Sequence, residues 1–227
     1  MNHPLQYGKY YHIYNRGIDR CNLFNEPGNY QHFLNLYDKY ISLVADTYCW
    51  CLMKNHFHLL IRIKDENEIE ALLPPDCKKR DEEWQWRTQK IITSNTNALS
   101  KSGENELKKP IPFRMFAHLF NAYTKYYNKC YDRTGSLFEK NFRRIPVESE
   151  DYLRQLIIYI HFNPVRHGFT KNVWDYPWSS YGSIISLKAT KLKREAVLGW
   201  FNQKADFVYL HQTVNKFDDI AHLMIDE

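Results

Sequence analysis

Long apolar runs are missing from this sequence, since none approaches the roughly 18 residues that a membrane-spanning helix needs. The first residues, MNHPLQYGKYYHIYNRG, also lack the apolar core of a secretory signal peptide. We therefore expect a protein that has no membrane partner and is located in the cytoplasm.

Paired-cysteine motifs and nucleotide-binding motifs are missing as well. The 5 cysteines are an odd number, are scattered along the chain and form no CxxC pair. We therefore expect reduced thiols rather than a disulfide framework. No Walker A sequence occurs, which excludes a fused helicase driven by nucleotide hydrolysis.

Positive charge and aromatic rings are what the sequence has in quantity. The formal net charge is +5, and there are 17 tyrosines. Basic side chains attract phosphates and aromatic rings stack on bases, so this composition suits a protein that binds nucleic acid. It also suits a protein whose rings fill the core and whose lysines face solvent, so composition alone does not decide between the two.

Local sequence patterns predict an alternation of short strands and helices. Strands are predicted at 9–17, 47–55, 56–63 and 139–148, and helices at 28–44, 113–131 and 149–164. Ser149 is the expected N-cap of the last helix, and Pro164 is its expected end. The order β-α-β-β-α-β-α predicts an α+β, ferredoxin-like or RRM-like fold. In that fold an antiparallel sheet carries helices on one face, and here a further helix follows.

A segment of different composition interrupts this pattern at about 64–112. It is rich in charge, contains Pro74 and Pro75, and ends in a stretch rich in Ser, Asn and Lys. We interpret it as an insertion with a helix near 82–99 and a loop near 101–111. The expected organisation is one domain over 1–185 that carries this insertion, followed by a C-terminal extension over 186–227.

Two histidines stand close together at the start of the apolar strand in MKNHFHLLIRI. Side chains alternate across a strand, so His56 and His58 point to one face while Phe57 points to the other. Two neutral imidazoles in this arrangement can bind one divalent cation. The pattern also fits two half-exposed histidines at a strand end, so a metal site needs support from elsewhere in the chain.

The last predicted helix supplies candidate partners for these histidines. Tyr159 and Asn163 are i and i+4 and therefore share one face of that helix. A tyrosine hydroxyl can act as a nucleophile, and an amide oxygen can act as a third metal ligand. Taken alone, the two residues also fit a tyrosine packed in the core and an asparagine that caps the helix.

Several segments, taken in order, resemble the REP-associated tyrosine transposases, a group of single-tyrosine HUH transposases. NHFHLL resembles the histidine–hydrophobic–histidine (HUH) motif, and YIHFNPVRHG resembles the helix that bears the tyrosine. Tyr123–Asn128 and Arg133–Phe142 resemble two further stretches of that family. The similarity covers roughly residues 7–63 and 113–182 and leaves out the insertion and the C-terminal tail.

The resemblance implies a DNA transposase and endonuclease that cleaves single strands and transfers them. It implies that Tyr159 is the catalytic nucleophile, which becomes joined to a 5′-phosphate and leaves a 3′-hydroxyl. His56, His58 and Asn163 match the family's metal ligands, and Mg²⁺ or Mn²⁺ is the implied cofactor. The implied partner is single-stranded or hairpin DNA of the REP type, bound by a monomer or a homodimer.

Four tyrosines in the preceding predicted helix compete for the nucleophile's role. They are Tyr123, Tyr126, Tyr127 and Tyr131. We assign the nucleophile to Tyr159 because its i+4 amide and the following Asn-Pro match the family motif. The other four are expected to pack against the core or to stack on bases.

A stretch of basic and aromatic residues over 111–146, here called the basic strip, is the predicted DNA-binding surface. It contains seven lysine or arginine residues and two acidic residues. Arg16, at the end of the first strand, is expected to extend it, and a solvated basic face is the alternative. The predicted nucleic-acid-binding residues are Arg16, Arg114, Lys125, Lys129, Arg133, Lys140, Arg143 and Arg144.

Two other functions stay open at this point. One is a non-catalytic nucleic-acid-binding module, because ferredoxin-like sheets also bind RNA. The other is a relaxase or replication initiator that nicks DNA on the same catalytic scaffold. A pure binding module has no use for two histidines, a tyrosine and an amide in this arrangement, so the complete set favours an enzyme.

Overall fold

The computed structural model describes residues 4–72 and 110–213. The strands are β1 (Tyr10–Arg16), β2 (Ala45–Leu52), β3 (His56–Ile63) and β4 (Arg143–Val147). The helices are α1 (Pro27–Ile41), α2 (Glu66–Leu72), α3 (Pro112–Cys130), α4 (Glu150–Arg166), α5 (Tyr181–Ile185), α6 (Arg194–Trp200) and α7 (Lys204–Thr213). Short 3-10 turns occur at Ile18–Arg20 and Val173–Asp175.

The four strands form one antiparallel sheet in the order β2-β3-β1-β4. The strands β3 and β1 are therefore the inner pair, although α1 and β2 separate them along the chain. Tyr14 of β1 is opposite His58 of β3 on one side and opposite Arg143 of β4 on the other. This strand order and the β-α-β-β-α-β sequence of elements confirm the predicted α+β, ferredoxin-like fold.

One face of the sheet is covered by α1 and α3. Alternation along the strands turns Ile13 and Phe57 to this side, where they join the cluster that contains Phe33 of α1 and Phe116 of α3. None of these four side chains has exposed surface. Burial of one such side chain contributes about 1.5–3 kcal/mol, so this core fixes both helices on the sheet.

The opposite face of the sheet is covered by α4, the helix that carries Tyr159. Ser149 caps this helix and accepts a hydrogen bond from the Tyr152 N–H at 3.2 Å. Every residue from Leu156 to Pro164 is buried, because the sheet covers one side of α4 while α5, α6 and α7 belong to the same core cluster. The described part of the C-terminal extension therefore shares a hydrophobic core with the tyrosine helix.

Several predicted boundaries are wrong, and for two of them the structure shows the cause. Helix α4 continues through Pro164 to Arg166, because a proline this close to the helix end removes only one backbone hydrogen bond and burial of the helix offsets that loss. The chain turns away at Gly168, whose φ of 72° suits a residue without a side chain. Strand β4 is shorter than 139–148, because Asn141 has a φ of 65° and interrupts the extended conformation.

The predicted helix near 82–99 and nearly all of the predicted loop near 101–111 lie outside the described residues. Within 4–72 and 110–213, no helix is both long enough and apolar enough to cross a membrane. Cys21, Cys49, Cys51 and Cys130 are free thiols, and Cys77 lies outside the described residues.

Candidate active site

His56 and His58 lie on the sheet face that α4 covers. Their ring centroids are 5.1 Å apart. His58 is 4% exposed, whereas His56 is half-buried at the beginning of β3. The Nδ1 atom of His56 is 2.8 Å from Asn55 Oδ1. Because an amide oxygen only accepts hydrogen bonds, the hydrogen is on His56 Nδ1, and Nε2 carries the lone pair.

A third histidine, His12 of β1, belongs to the same cluster. Its Nε2 is 3.0 Å from His58 Nδ1, and the two rings are stacked with centroids 5.1 Å apart. His12 has no exposed surface. The place of His12 in this cluster is not predicted by the sequence. Alternation along YYHIYNR places it on one face with Tyr14, but nothing local indicates that this strand pairs with β3.

Tyr159 reaches the histidine cluster from α4. Its ring meets the rings of His58 and His12 edge-on, at centroid distances of 5.5 and 6.0 Å. Asn163 lies one helical turn further along the same face and donates a hydrogen bond from Nδ2 to the Tyr159 carbonyl oxygen at 3.0 Å. This bond fixes the orientation of the amide. Its Oδ1 is buried and has no hydrogen-bond partner among the described residues.

Burial keeps His12 and His58 neutral. Loss of solvent holds the pKa of His58 well below its usual value, and the neighbouring His12, His56, His167 and Arg166 lower it further. Loss of solvent also lowers the pKa of His12 to about 3. A neutral imidazole has a nitrogen lone pair, which is the form that binds metal ions.

The residues present fit a divalent cation. His58 uses Nδ1 for His12, and its Nε2, like Asn163 Oδ1, is buried with no hydrogen-bond partner in the described part of the chain. Buried polar atoms are nearly always paired, so these two lone pairs are available to a bound ion or water. No group of three or more His, Cys, Asp or Glu within the described ranges could hold a metal ion. A site here therefore depends on the amide of Asn163.

The cluster reaches the end of the sheet where β1 ends and β3 begins. His167, which directly follows α4, places its ring 5.3 Å from that of His56. On the other side, Arg16 is opposite His56 in the strand register and forms a half-exposed ion pair with Glu139. The imidazole of His167 and the guanidinium of Arg16 thus lie at this end of the cluster.

The competing tyrosines of α3 lie on the other side of the sheet. Tyr123 is buried and donates a hydrogen bond to the Leu23 carbonyl oxygen at 2.6 Å. The Tyr127 hydroxyl accepts a hydrogen bond from Asn25 Nδ2 at 2.8 Å. These hydroxyls tie α3 to the segment before α1, and the sheet separates them from the histidine cluster.

The structure does not gather the basic strip onto one surface. Arg143 is opposite Tyr14, which is itself opposite His58, so Arg143 projects from the face that holds the histidines. The next residue, Arg144, projects to the other face, where its guanidinium carbon lies 5.1 Å from the Phe113 ring centroid. One strand thus sends its two arginines to opposite sides of the sheet.

The other predicted DNA-binding residues differ in their exposure and in the hydrogen bonds that they make within the protein. Arg133 is half-buried, and its guanidinium donates to Asn128 Oδ1 and to the Ser136 carbonyl oxygen, both at 3.0 Å. It therefore closes the turn after α3. The exposed members are Arg114, Lys125, Lys129, Lys140 and Arg143.

Comparison with known proteins identifies a fold. No family model matches the sequence, and no curated protein matches it. Among solved structures, the chain is similar to a REP-associated tyrosine transposase bound to a REP hairpin, with a TM-score of 0.50 and 16% sequence identity. The match covers 82% of this chain and 84% of that one. The resemblance noted in the sequence is thereby confirmed for the fold: this chain has the fold of a REP-associated tyrosine transposase.

Proposed function

We propose that the chain is a metal-dependent enzyme of the HUH transposase type, which cuts and rejoins single strands of hairpin DNA through Tyr159. The main support is the contact of the Tyr159 ring with His58, in a buried cluster where His58 Nε2 and Asn163 Oδ1 lack partners among the described residues. Burying polar atoms without partners is costly. A sheet that only bound nucleic acid would gain nothing from such a cluster.

His56, His58 and Asn163 are the proposed metal ligands. Imidazole suits Mn²⁺ somewhat better than Mg²⁺, and an amide oxygen suits both. A divalent ion held by these residues would supply Lewis-acid polarisation of a DNA phosphate. The neutral state of His58, which follows from its lowered pKa, leaves its lone pair available for that role.

Tyr159 is the proposed nucleophile. Its hydroxyl oxygen forms a bond to the phosphorus of a backbone phosphate, and the bond from that phosphorus to the 3′ oxygen breaks. In net terms the phenol proton passes to the 3′ oxygen, so the products are a 5′-phosphotyrosine and a free 3′-hydroxyl. Attack of a 3′-hydroxyl on the phosphotyrosine rejoins a strand without nucleotide hydrolysis, because the covalent intermediate conserves the energy of the broken link.

Hairpin DNA is the proposed substrate. The solved structure that shares this fold contains a REP hairpin. In this chain Arg143 projects from the face of the histidine cluster, and Arg16 is opposite His56 at the end of the cluster. The exposed Lys125 and Lys129 belong to α3, on the other side of the sheet, so they can contact only DNA that is remote from the cleaved phosphate.

The test is incubation of the protein with Mn²⁺ and a panel of hairpin oligonucleotides from the DNA that flanks its gene. We expect a covalent protein–DNA adduct on a denaturing gel for at least one hairpin, and none with a chelator or with His58→Ala. His58→Ala should still bind that hairpin, because the exposed basic side chains are retained.

Two outcomes would point to the other functions. Tight hairpin binding without an adduct, under every divalent metal, would identify a non-catalytic binding module. Adducts that form equally well on unstructured single strands would instead favour a nickase of the relaxase or replication-initiator type.

A further inference from the structure

A chain of buried hydrogen bonds runs behind the tyrosine helix, on the side away from the histidine cluster. The Trp50 N–H donates to Ser180 Oγ at 2.9 Å, and Ser180 Oγ is 2.9 Å from His161 Nε2. His161 Nδ1 is 2.9 Å from His211 Nε2, and His211 Nδ1 is 2.7 Å from the Phe207 carbonyl oxygen. This relay joins β2, α4 and α7.

The groups at the ends of the relay determine which atom donates and which accepts in each of its hydrogen bonds. The Phe207 carbonyl only accepts, so His211 carries its hydrogen on Nδ1 and accepts on Nε2. His161 must then donate from Nδ1 and accept on Nε2, where the Ser180 hydroxyl and the Cys49 thiol are the neighbouring donors. Burial lowers the pKa of His211 to about 4, so this imidazole is neutral. Each ring therefore has one tautomer.

The relay is a hydrogen-bond chain and not a metal centre, although Cys49 lies beside it. Cys49 Sγ is 3.3 Å from His161 Nε2, on the opposite side of the imidazole from His211. Each nitrogen of His161 lies within hydrogen-bonding distance of another member of the relay, Nδ1 of His211 and Nε2 of Ser180. No cluster of metal-binding side chains is present in the described ranges, which agrees with this conclusion.

The relay meets α4 at one position between the two proposed catalytic-site residues. His161 follows Tyr159 by two residues and precedes Asn163 by two, on a helix of about 3.6 residues per turn, so it projects nearly opposite to both. Around it, α4 is held mainly by apolar contacts of residues such as Ile157 and Ile160. Such contacts are non-directional, whereas a fully satisfied polar chain specifies one arrangement.

We propose that this relay sets the rotation of α4 about its axis, and that His211 in the C-terminal extension is a positioning residue for Tyr159 and Asn163. The extension then takes part in cleavage without touching DNA, metal or the reacting atoms. This inference rests on the proposed function, because it assigns His211 a role in presenting the nucleophile.

The decisive variants are His211→Leu and His211→Gln. Leucine removes the acceptor and leaves the His161 Nδ1–H buried without a partner, whereas a glutamine amide oxygen can replace Nε2. We expect His211→Leu to slow single-turnover cleavage by about 10- to 100-fold, because small displacements of reacting groups have effects of that size. Hairpin affinity should be unchanged, and His211→Gln should restore most of the rate.

Val197→Ala is the matched control, because Val197 is fully buried in the same core cluster but makes no hydrogen bond of the relay. It should lower stability while leaving the cleavage rate of the folded protein unchanged. Equal rate losses in His211→Leu and Val197→Ala, in proportion to lost stability, would overturn the positioning role. So would a wild-type rate in His211→Leu.

A second readout needs no DNA and separates this inference from the proposed function. With fluorotyrosine incorporated, the ¹⁹F resonance of Tyr159, assigned by its loss in Tyr159→Phe, should shift in His211→Leu and not in Val197→Ala. A shift in a protein that forms no adduct with any hairpin would sink the proposed function and leave the positioning role standing. An unshifted resonance in His211→Leu would refute the positioning role even if wild-type cleavage is observed.

Discussion

At the scale of single residues, two hydrogen bonds decide which atoms of the site keep an unshared lone pair. A cation on His58 Nε2 requires the hydrogen on Nδ1, where it donates to His12 Nε2 at 3.0 Å. The hydrogen bond from Asn163 Nδ2 to the Tyr159 carbonyl oxygen fixes the orientation of the Asn163 amide and leaves Oδ1 as its remaining acceptor. The lone pairs of His58 Nε2 and Asn163 Oδ1 are thus oriented by the protein itself, before a ligand binds.

We predict that His12→Phe weakens Mn²⁺ binding by about 10- to 100-fold, the usual effect of removing a partner of a metal ligand. The phenyl ring keeps the packing but cannot accept the hydrogen from His58 Nδ1. Calorimetric titration of the protein with Mn²⁺ measures the affinity without any DNA. His32→Phe serves as the control, because His32 stacks on Tyr126 at a centroid distance of 3.7 Å, on the other side of the sheet. Equal Mn²⁺ affinity in His12→Phe and the wild type would remove His12 from the site.

We predict that Tyr159→Phe abolishes cleavage and the covalent adduct, because it removes the one oxygen that attacks phosphorus. The ring that packs against His58 is kept, so the fold and the hairpin affinity should survive. Peptide mapping of the trapped wild-type adduct should find DNA on the α4 peptide.

Tyr123→Phe is the matched comparison. It removes a buried hydroxyl that donates to the Leu23 carbonyl oxygen, so it should lower the free energy of unfolding by about 1–3 kcal/mol. Cleavage should remain measurable. DNA attached to a peptide of α3 would overturn the assignment of Tyr159, and with it the role proposed for Asn163.

At the scale of secondary-structure elements, the pleat of β4 decides which arginine can contact DNA near the site. Arg143 is exposed on the face of the histidine cluster. Arg144 is half-buried against Phe113 and Phe142, and burial lowers its pKa. A stretch that looks continuous in the sequence is thus divided by strand alternation into one binding candidate and one packing residue.

We predict that Arg143→Ala reduces the slope of log affinity against log salt concentration by about 1, as expected for the loss of one phosphate contact. Arg144→Ala should leave that slope unchanged and instead lower the melting temperature, because it removes stacking on two phenyl rings. Fluorescence anisotropy of a labelled hairpin over a salt series measures both slopes. The reverse pattern would show that the α3 side of the sheet binds the DNA.

At the scale of the whole molecule, the C-terminal helices complete the core behind α4. Val197, Phe201 and Phe207 are buried in the same cluster as Ile157 and Leu60. A boundary at 185 would therefore cut through a shared core, and the division into a domain over 1–185 and an extension over 186–227 stays a prediction. Truncation in this region is expected to destabilise α4 rather than to remove an independent unit.

The buried His211 makes the stability of this core dependent on pH. Its pKa is about 4 in the fold and about 6.5 in an unfolded chain, and the groups facing it, His161 and Tyr181, are both neutral. Below about pH 6.5 the unfolded chain binds a proton that the folded chain does not. The stabilisation is therefore complete above that pH and is lost as the pH falls toward 4, by up to about 1.4 kcal/mol per pH unit.

We predict that His211→Gln loses less stability on acidification than the wild type does, because glutamine does not titrate. Between about pH 6.5 and about pH 5 the difference should approach 2 kcal/mol, that is about 1.4 kcal/mol for each pH unit. Urea unfolding of both proteins at several pH values measures it. Parallel stability curves for the two proteins would mean that His211 is protonated in the fold or accessible to solvent.

Much of the site could be found from the sequence, because its signals are local. Strand alternation alone places His56 and His58 together, and helical spacing alone places Tyr159 and Asn163 together. The end of α4 was misplaced at Pro164, since a local rule about proline does not include the burial that carries the helix on to Arg166.

The sequence by itself determined the order of the elements, the pairing of residues on each face, and the resemblance to a transposase. Only the tertiary structure decided which sheet face α4 covers, that His12 supports His58, and that α3 keeps its tyrosines on the far side. It also decided that His211 reaches His161, 50 positions earlier in the chain. The physical reason is that local periodicity fixes where a side chain points on its own element, whereas packing and strand pairing between distant segments fix what it meets.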